Sequence, residues 1–192
     1  MHIGIALFEG AEELDWAGPW EVLAAWAQGW PDDGVEVFTR ARGPVRCAKG
    51  LRLVPDHTWA SASPLDVLVY PGGAGTRREL ADGAVLGWLR GLRDGGALMT
   101  SVCTGSLVYA AAGLLAGRPA TTWWGAVDRL AELEPTVEVR PDDRFVDSGE
   151  VVTAAGVSAG IDMALHPVAR LHSVERAREV RRYIQYDPAP PV

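Results

Sequence analysis

The sequence predicts an α/β sandwich built on a mostly parallel central sheet. Short apolar runs alternate with longer segments of helical character along the chain, which is the pattern of strands joined by crossover helices. Two of these runs, 65–70 and 97–102, end directly in turns that contain glycine, as buried parallel strands do. No internal repeat, low-complexity segment or linker interrupts the pattern, so we expect one domain over residues 1–192 with a proline-rich tail at 186–192.

The first half of the chain predicts three strands, one hairpin and two helical segments. Pro19 suits the first turn of a helix, where its missing N–H is no loss. Gly95-Gly96 ends the second helical segment, and His57 is expected in a loop. The expected elements are strands at 2–8, 34–40 and 65–70, a hairpin within 44–54, a helix from Trp20 to Trp26 or beyond, and a helical segment at 77–94 interrupted at Gly83.

The second half of the chain continues the same alternation. The run at 97–102 leads through a tight turn into a helix of small residues. The proline-rich tail cannot be helical, because proline lacks the N–H that a helix requires. Between the two we expect a turn and short strand within 114–122, a helix at 123–133, short strands at 137–139 and 145–147, a core strand at 151–155, and helices at 161–171 and 173–184.

The composition describes a globular protein and argues against several classes of function. The chain has 192 residues, 48% of them hydrophobic, which is enough to bury a full core. A net charge of −7 provides no basic surface for nucleic acid or for anionic membranes. No run approaches the ~18 apolar residues of a membrane span, and the first residues lack the features of a signal peptide. With only two cysteines, the expected location is the reducing cytoplasm.

Cys103 stands at the turn between the strand at 97–102 and the helix that follows. Functional sites of open α/β sheets form at the carboxyl ends of the strands. A helix N-terminus also has unpaired N–H groups and a partial positive charge, which we expect to lower the pKa of the thiol. Position therefore suggests a nucleophile, while a buried, inert cysteine fits the local sequence equally well. Cys47 has no His or acidic residue close to it in sequence and is interpreted as structural.

Two further segments are expected at the same edge of the sheet. Asp15 lies just before the first predicted helix, where it is either an N-cap or loop residue or a general acid and base beside the site. Pro71-Gly72-Gly73-Ala74-Gly75 follows a strand and can direct backbone N–H groups towards an anion or an oxyanion. This glycine run matches neither GxGxxG nor a phosphate-binding P-loop, so nucleotide binding is poorly supported.

Several of these segments together resemble the DJ-1/PfpI superfamily and, within it, the isonitrile hydratase branch. The match runs in the right order through nearly the whole chain. It is carried by Val69-Tyr70-Pro71-Gly72-Gly73, Ser101-Val102-Cys103-Thr104-Gly105, Gly113-Leu114-Leu115, Ala120-Thr121-Thr122, Gly156-Val157-Ser158-Ala159-Gly160-Ile161-Asp162 and Tyr186-Asp187-Pro188.

The resemblance implies a flavodoxin-like three-layer fold, usually assembled as a homodimer, that acts on a small-molecule substrate. It assigns Cys103 as the nucleophile on a strained turn, and Asp15 as the acidic residue that meets it from the first β–α loop. It also assigns the backbone N–H groups of Gly73 and Thr104, next to Gly72, as donors to an anion or oxyanion.

The histidines depart from the pattern of many relatives, which carry a His directly after the Ala-Thr-Thr run. This chain has Trp123 there. His166 and His172 share one predicted helix but lie six residues apart, so their spacing does not support a metal pair. His166 is the best spare candidate for the site, with a surface or packing role as the alternative. We expect neither a metal nor a cofactor, and a Cys–His–acid protease or glutaminase triad is not supported.

A thiolate and a neighbouring carboxyl group suffice for attack on a strongly electrophilic carbon, and isonitrile hydration is such a reaction. We expect Cys103 to attack the isonitrile carbon and Asp15 to act as acid and base, with a pKa raised towards neutrality by an apolar pocket. Trp16 and Trp123 flank the assigned positions and are candidates to line that pocket. Core or dimer packing is the alternative for these two and the interpretation of four other tryptophans, Trp20, Trp26, Trp30 and Trp88.

Other functions remain open at this point. Trp123 is also compatible with a site reshaped for another electrophilic substrate, such as a bulky aromatic one. Glyoxalase-type relatives, which act on small α-oxoaldehydes, likewise use a Cys and an acid. A cysteine redox sensor or ligand-binding module is the non-enzymatic alternative, in which Cys103 is oxidised to a sulfinate or simply holds a ligand. The chain also resembles the amidotransferase-like domains of some transcription regulators, but a regulator function is weakly supported, because we see no DNA-binding helical extension.

Overall fold

The strands of the protein form one large sheet and two small ones. The computed structural model describes residues 1–28, 34–61 and 64–188. The strands within these ranges are β1 (His2–Ala6), β2 (Gly34–Thr39), β3 (Val45–Arg46), β4 (Arg52–Leu53), β5 (His57–Thr58), β6 (Val67–Tyr70), β7 (Leu98–Val102), β8 (Pro119–Ala120), β9 (Glu138–Val139), β10 (Phe145–Asp147) and β11 (Val151–Ala154).

The large sheet has seven strands in the order β10-β11-β7-β6-β1-β2-β5. Neighbouring strands run parallel throughout, except for the antiparallel pair β10 and β11 at one edge. Strands β3 and β4 pair antiparallel as the predicted hairpin, and β8 pairs with β9 in a second small sheet. The predicted fold class, a mostly parallel sheet in an α/β sandwich, is therefore confirmed.

The helices flank the sheet as two groups, which gives the three layers. Helices α1, α6 and α7 contact one another, while α2, α3 and α5 each contact α4. A 3-10 turn at Trp124–Ala126 precedes α5. The helices are α1 (Glu13–Ala27), α2 (Thr76–Glu79), α3 (Gly83–Asp94), α4 (Gly105–Ala111), α5 (Val127–Leu133), α6 (Ala159–Leu171) and α7 (Val174–Tyr183).

Helix α1 differs most from its prediction. It begins at Glu13 and not at Trp20, so Pro19 lies inside the helix and not in its first turn. The cause is tertiary packing, because Asp15 and Trp16 are both buried by the added turn. Their placement against the sheet outweighs the local preference of proline for a helix start.

The predicted helical segment at 77–94 is two helices, α2 and α3. The chain breaks between them, and Asp82 supplies the N-cap of α3. The Asp82 carboxylate accepts hydrogen bonds from the N–H groups of Ala84 (2.9 Å) and Val85 (3.4 Å). A side-chain cap of this kind compensates for the unpaired N–H groups of a helix start, so the new helix forms immediately after the break.

The prediction that His57 lies in a loop is wrong, because His57 belongs to edge strand β5 and pairs with Phe38 of β2. Its Nε2 lies 3.5 Å from Oε1 of Glu36.

No helix in the described ranges is both long and apolar enough to cross a bilayer. Among the tryptophans assigned to packing, Trp26 is buried and Trp20 is partly exposed; Trp30 and the tail from residue 189 lie outside the described residues.

An interior strand of the sheet, β7, leads directly to Cys103 at the carboxyl edge. Strand β7 lies between β6 and β11 and is buried along its whole length. The side chain of Tyr109, in α4, is fully buried and donates a hydrogen bond to the carbonyl of Thr100 in β7 (2.8 Å). This bond links helix α4 to strand β7. The turn that joins the two elements contains Cys103.

Candidate active site

Cys103 occupies a strained turn between β7 and α4. Its φ is +58°, a left-handed conformation that costs a residue other than glycine about 1–3 kcal/mol. The turn is held from both sides, because the Cys103 N–H donates to the carbonyls of Ala154 (3.2 Å) and Ala155 (3.0 Å). Its own carbonyl accepts from the hydroxyls of Ser106 and Thr122, each at 3.0 Å. The strained turn that the resemblance implies is therefore present.

Asp15 lies beside this cysteine, in the first turn of α1 and not before it; the N-cap is Glu12. The Asp15 side chain is completely buried. Its Oδ2 accepts a hydrogen bond from the Gly72 N–H at 2.8 Å, whereas Oδ1 has no such partner among the described residues. Burial raises the pKa of Asp15 from 3.8 to about 7, although the Gly72 N–H and the Cys103 thiol both act to lower it. The carboxyl group is therefore suited to both donate and accept a proton near neutral pH.

The pKa of Cys103 differs from the sequence-based expectation. Its thiol was expected to have a lowered pKa at the start of a helix, but burial and the negative charge of Asp15 raise that pKa to about 12. The N–H groups of Thr104 and Val157 donate to the thiol and lower its pKa, as does the Thr104 side chain, but by less. Desolvation outweighs the helix N-terminus here, because the thiolate is taken out of water next to another anion.

The backbone N–H groups of Gly72 and Gly73 bind other groups of the site and not the oxyanion that was expected. The Gly72 N–H is occupied by Asp15, and the Gly73 N–H donates to the Thr104 hydroxyl at 3.0 Å. The Gly73 N–H is therefore not free to bind an oxyanion in this structure. A Cβ at Gly72 would lie 2.5 Å from the Thr104 nitrogen and 2.9 Å from Asp15 Oδ2. Glycine is required at this position because the Thr104 N–H, the Thr104 hydroxyl and the Asp15 carboxyl group all converge there.

Val157 is a site residue that the sequence analysis missed. It has a φ of +48°, which is rare for a β-branched side chain, and its N–H reaches the Cys103 thiol. The segment that contains it contributes to the family resemblance, but local propensity gives no sign of a left-handed valine. A strained residue next to a strained cysteine is a signal of function that only the backbone geometry reveals.

A cavity of about 930 Å³ opens next to Cys103, which is within the range of small-molecule sites. The indole of Trp123 lies in its wall, packed so closely against the chain that a Cβ on Gly125 or Gly156 would lie 2.5 Å from the ring. Trp123 therefore lines a cavity beside Cys103, which is the position predicted for it. The other residues of the lining are Glu12, Lys49, Gly73, Ala74, Thr76, Arg77, Leu80, Thr104, Leu107, Gly125, Ala126, Arg129 and Val157.

The described residues that line this cavity do not include Trp16. It is buried and lies near the second cysteine, Cys47, while its indole N–H has no hydrogen-bond partner among the described residues. Burial raises the pKa of Cys47 above its ordinary value, and the charges of Glu13 and Glu9 add to that effect. Trp16 is thus placed in the core, and Cys47 has the environment of an unreactive thiol.

The described histidines lie away from the cavity. His166 Nε2 is 2.6 Å from Asp147 Oδ2, and Arg170 contacts the same carboxylate at 3.1 Å. This group ties α6 to the antiparallel edge of the sheet. No histidine of the described residues lines the cavity beside Cys103, and the groups that the structure places together there are the Cys103 thiol and the Asp15 carboxyl group.

Comparisons with known proteins agree with this fold. Residues 1–170 match the DJ-1/PfpI family. A Pseudomonas putida protein named isonitrile hydratase is 40% identical over 192 residues, which is 100% of this chain and 81% of that protein. The glutathione-independent glyoxalase DJR-1.2 of Caenorhabditis elegans is 31% identical over 140 residues, 71% of this chain and 73% of that protein.

Solved structures give the same result. The crystal structure of a ThiJ/PfpI family protein from Pseudomonas syringae superposes with a TM-score of 0.90 at 30% identity. The superposition covers 100% of this chain and 77% of that one. The sheet order, the strained cysteine turn and these similarities lead to one conclusion: the chain belongs to the DJ-1/PfpI family.

Proposed function

We propose that this protein adds water to isonitriles to give N-substituted formamides, with Cys103 as nucleophile and Asp15 as acid and base. The observation that carries the proposal is the buried Asp15 carboxyl group, with a pKa of about 7, beside the Cys103 thiol. The 40% identity to an isonitrile hydratase over the full chain supports the choice of substrate. An isonitrile needs only a nucleophile and a proton at the same carbon, and this pair of side chains can supply both.

The two groups ionise as a pair. Burial opposes a charge on either side chain and raises the pKa of both. Between about pH 7 and pH 12 the pair therefore keeps one proton, which lies on the thiol or on the carboxyl group. Transfer of that proton from Cys103 to Asp15 creates the thiolate and the acid in the same event. The high thiol pKa then protects the resting enzyme from oxidation without preventing attack on a bound electrophile.

The first half of the reaction forms a thioimidate. The Cys103 thiolate attacks the terminal isonitrile carbon, which forms the S–C bond, and the Asp15 carboxyl group gives its proton to the same carbon. The product is R–N=CH–S–Cys103, and Asp15 is left as a carboxylate. The N–H groups of Thr104 and Val157, which reach the thiol in the resting state, stabilise the thiolate that attacks.

The second half returns the enzyme to its starting state. The Asp15 carboxylate removes a proton from water while the hydroxide adds to the thioimidate carbon, and that proton is then delivered to the nitrogen. Asp15 next takes the proton of the new hydroxyl group as the C=O bond forms and the C–S bond breaks. The formamide R–NH–CHO leaves, and the thiolate and the carboxylic acid are restored. One carboxyl group performs every proton transfer, which requires a pKa near neutrality.

The apolar cavity wall favours this reaction over a glyoxalase reaction on small α-oxoaldehydes. Trp123, Leu80 and Leu107 form part of the wall, and such a wall contributes binding energy only to a substrate with an apolar body. A two- or three-carbon oxoaldehyde would leave most of the 930 Å³ unfilled. The glyoxalase alternative is tested in parallel with isonitrile hydration, by measuring lactate formed from methylglyoxal.

The proposal also includes a homodimer that works in the cytoplasm without a cofactor. This part is supported by family membership alone. Light scattering in solution tests it. A mass of about twice the 20.5 kDa of the chain supports a dimer, and the mass of a single chain contradicts it.

The decisive experiment measures formamide production from a panel of alkyl and aryl isonitriles. We expect turnover by the wild-type protein and none by Cys103→Ala. The matched control is Cys47→Ala, which removes the other buried thiol and should leave turnover unchanged. If the wild-type protein is folded, as judged by circular dichroism, and converts no isonitrile of the panel, the hydratase proposal is wrong.

A further inference from the structure

The cavity beside Cys103 has a cationic mouth. Three of the four charged side chains in its lining are basic, namely Lys49, Arg77 and Arg129; the fourth is Glu12. All three basic residues are exposed, whereas Cys103 is 6% exposed. The reactive end of the cavity is therefore the buried one and the charges stand at the open end. This local excess of positive charge is opposite in sign to the net charge of the whole chain, which is −7.

The three cations are not equivalent, because two of them already have acidic partners. The Lys49 ammonium group contacts Glu12 and lies 4.0 Å from Glu13 Oε2. The Arg129 guanidinium lies 2.9 Å from Glu132 Oε2 on the same helix. Arg77 makes no hydrogen bond or ion pair with any of the described residues, so its five donors are available to a ligand.

We infer that the preferred substrate carries a carboxylate at the end remote from the isonitrile, and that Arg77 binds this carboxylate. The inference rests on the proposed function, which fixes the isonitrile carbon at Cys103. An apolar or aromatic body then lies along Trp123 and Leu107, and its far end reaches the mouth where Arg77 is free. A guanidinium fork matches the two oxygens of a carboxylate, which makes Arg77 a specificity-determining residue.

A matched pair of substrates tests this inference in turnover. One is an aryl isonitrile with a carboxylate on the ring, and the other is the same compound as its primary amide, which keeps the shape without the charge. We expect the wild-type protein to prefer the carboxylate about fivefold in kcat/KM, which corresponds to ~1 kcal/mol and is the upper range for an exposed ion pair. Arg77→Gln should remove the preference through KM, with kcat unchanged.

Arg78→Gln is the matched control. Arg78 is the next residue and is also exposed, but it lines a different cavity, beside Phe8 and Trp59. Its replacement removes the same charge from the protein and should leave the preference for the carboxylate intact. A wild-type protein without that preference overturns the inference, and so does an Arg77→Gln variant that loses activity equally on both substrates.

A binding experiment separates failure of this inference from failure of the proposed function. The probes are the two formamides that correspond to the substrates, titrated by calorimetry into Cys103→Ala and into Cys103→Ala combined with Arg77→Gln. We expect the carboxylate to bind about fivefold more tightly than the amide only when Arg77 is present, and less so at high salt. Equal affinities refute anion recognition whatever the turnover. Turnover of the amide with no preference refutes this inference alone.

Discussion

Replacing Asp15 by Asn should stabilise the protein, and by more as the pH rises. The side chain is completely buried and its pKa is raised from 3.8 to about 7. The folded state therefore holds a proton that the unfolded chain has released at pH values between these two. Protonated Asp15 imposes no penalty below about pH 4, and the penalty of burying its charge grows until the folded carboxyl group ionises.

The size of the effect follows from the two pKa values. A difference of about three pH units, at about 1.4 kcal/mol each, amounts to ~4 kcal/mol at pH 8 and above. Between pH 4 and pH 7 the wild-type protein should lose about 1.4 kcal/mol of unfolding free energy per pH unit through this group. Asn is nearly isosteric and its carbonyl can still accept the Gly72 N–H, so the variant escapes the penalty without losing that bond.

Urea unfolding of both proteins at half-unit steps from pH 4.5 to pH 8.5 measures this difference. Asp82→Asn is a suitable control, because hydrogen bonds from Ala84 and Arg40 lower the pKa of Asp82. Its carboxyl group is ionised in both states over this range, so the effect of that variant should not change with pH. A flat difference between wild type and Asp15→Asn would refute our reasoning. A wild-type protein that gains stability over the variant as the pH rises would refute it more strongly, since Asp15 would then have a lowered pKa.

Two further predictions follow from the packing of the site. Gly72→Ala should lower turnover strongly and destabilise the fold by about 1–3 kcal/mol, because its Cβ would lie 2.5 Å from the Thr104 nitrogen; Gly34→Ala, which meets nothing within 4 Å and like Gly72 has no positive φ, is the matched control, and equal losses in both would contradict a role for space at Gly72. Trp123→Ala should raise KM for an aryl isonitrile about tenfold, the equivalent of ~1.4 kcal/mol of aromatic contact, with little change for methyl isonitrile; an equal rise for both substrates would show that Trp123 does not bind the aromatic body.

The position of Cys103 could be predicted because strand, turn and helix are encoded by consecutive residues. An apolar run, a glycine-containing turn and a small-residue helix place Cys103 at the carboxyl edge of the sheet, and the structure has it there. Pairing of parallel strands then brings the turn after β6 to the same edge. These parts of the fold depend on periodicity and topology, which a single sequence carries well.

Other parts of the site depend on contacts between segments that are distant in sequence. The pKa of Cys103 was expected to be low from its helix, and it is high because of burial and Asp15, which comes from another element. The Gly73 N–H was expected to be free, and it is bonded to Thr104 across the two turns. The left-handed Val157 could not be foreseen from its type. Burial and cross-segment hydrogen bonds decide these properties, and neither is local.

The most direct test of the account is rapid-quench mass spectrometry of the protein during turnover of an isonitrile. Addition of the thiolate and a proton predicts an increase equal to the full mass of the isonitrile, located on the peptide that contains Cys103 and absent from Cys103→Ala. Formamide production should disappear in the same variant. An adduct on Cys47 alone, or formamide production that continues without Cys103, would contradict a mechanism that passes through a Cys103 thioimidate.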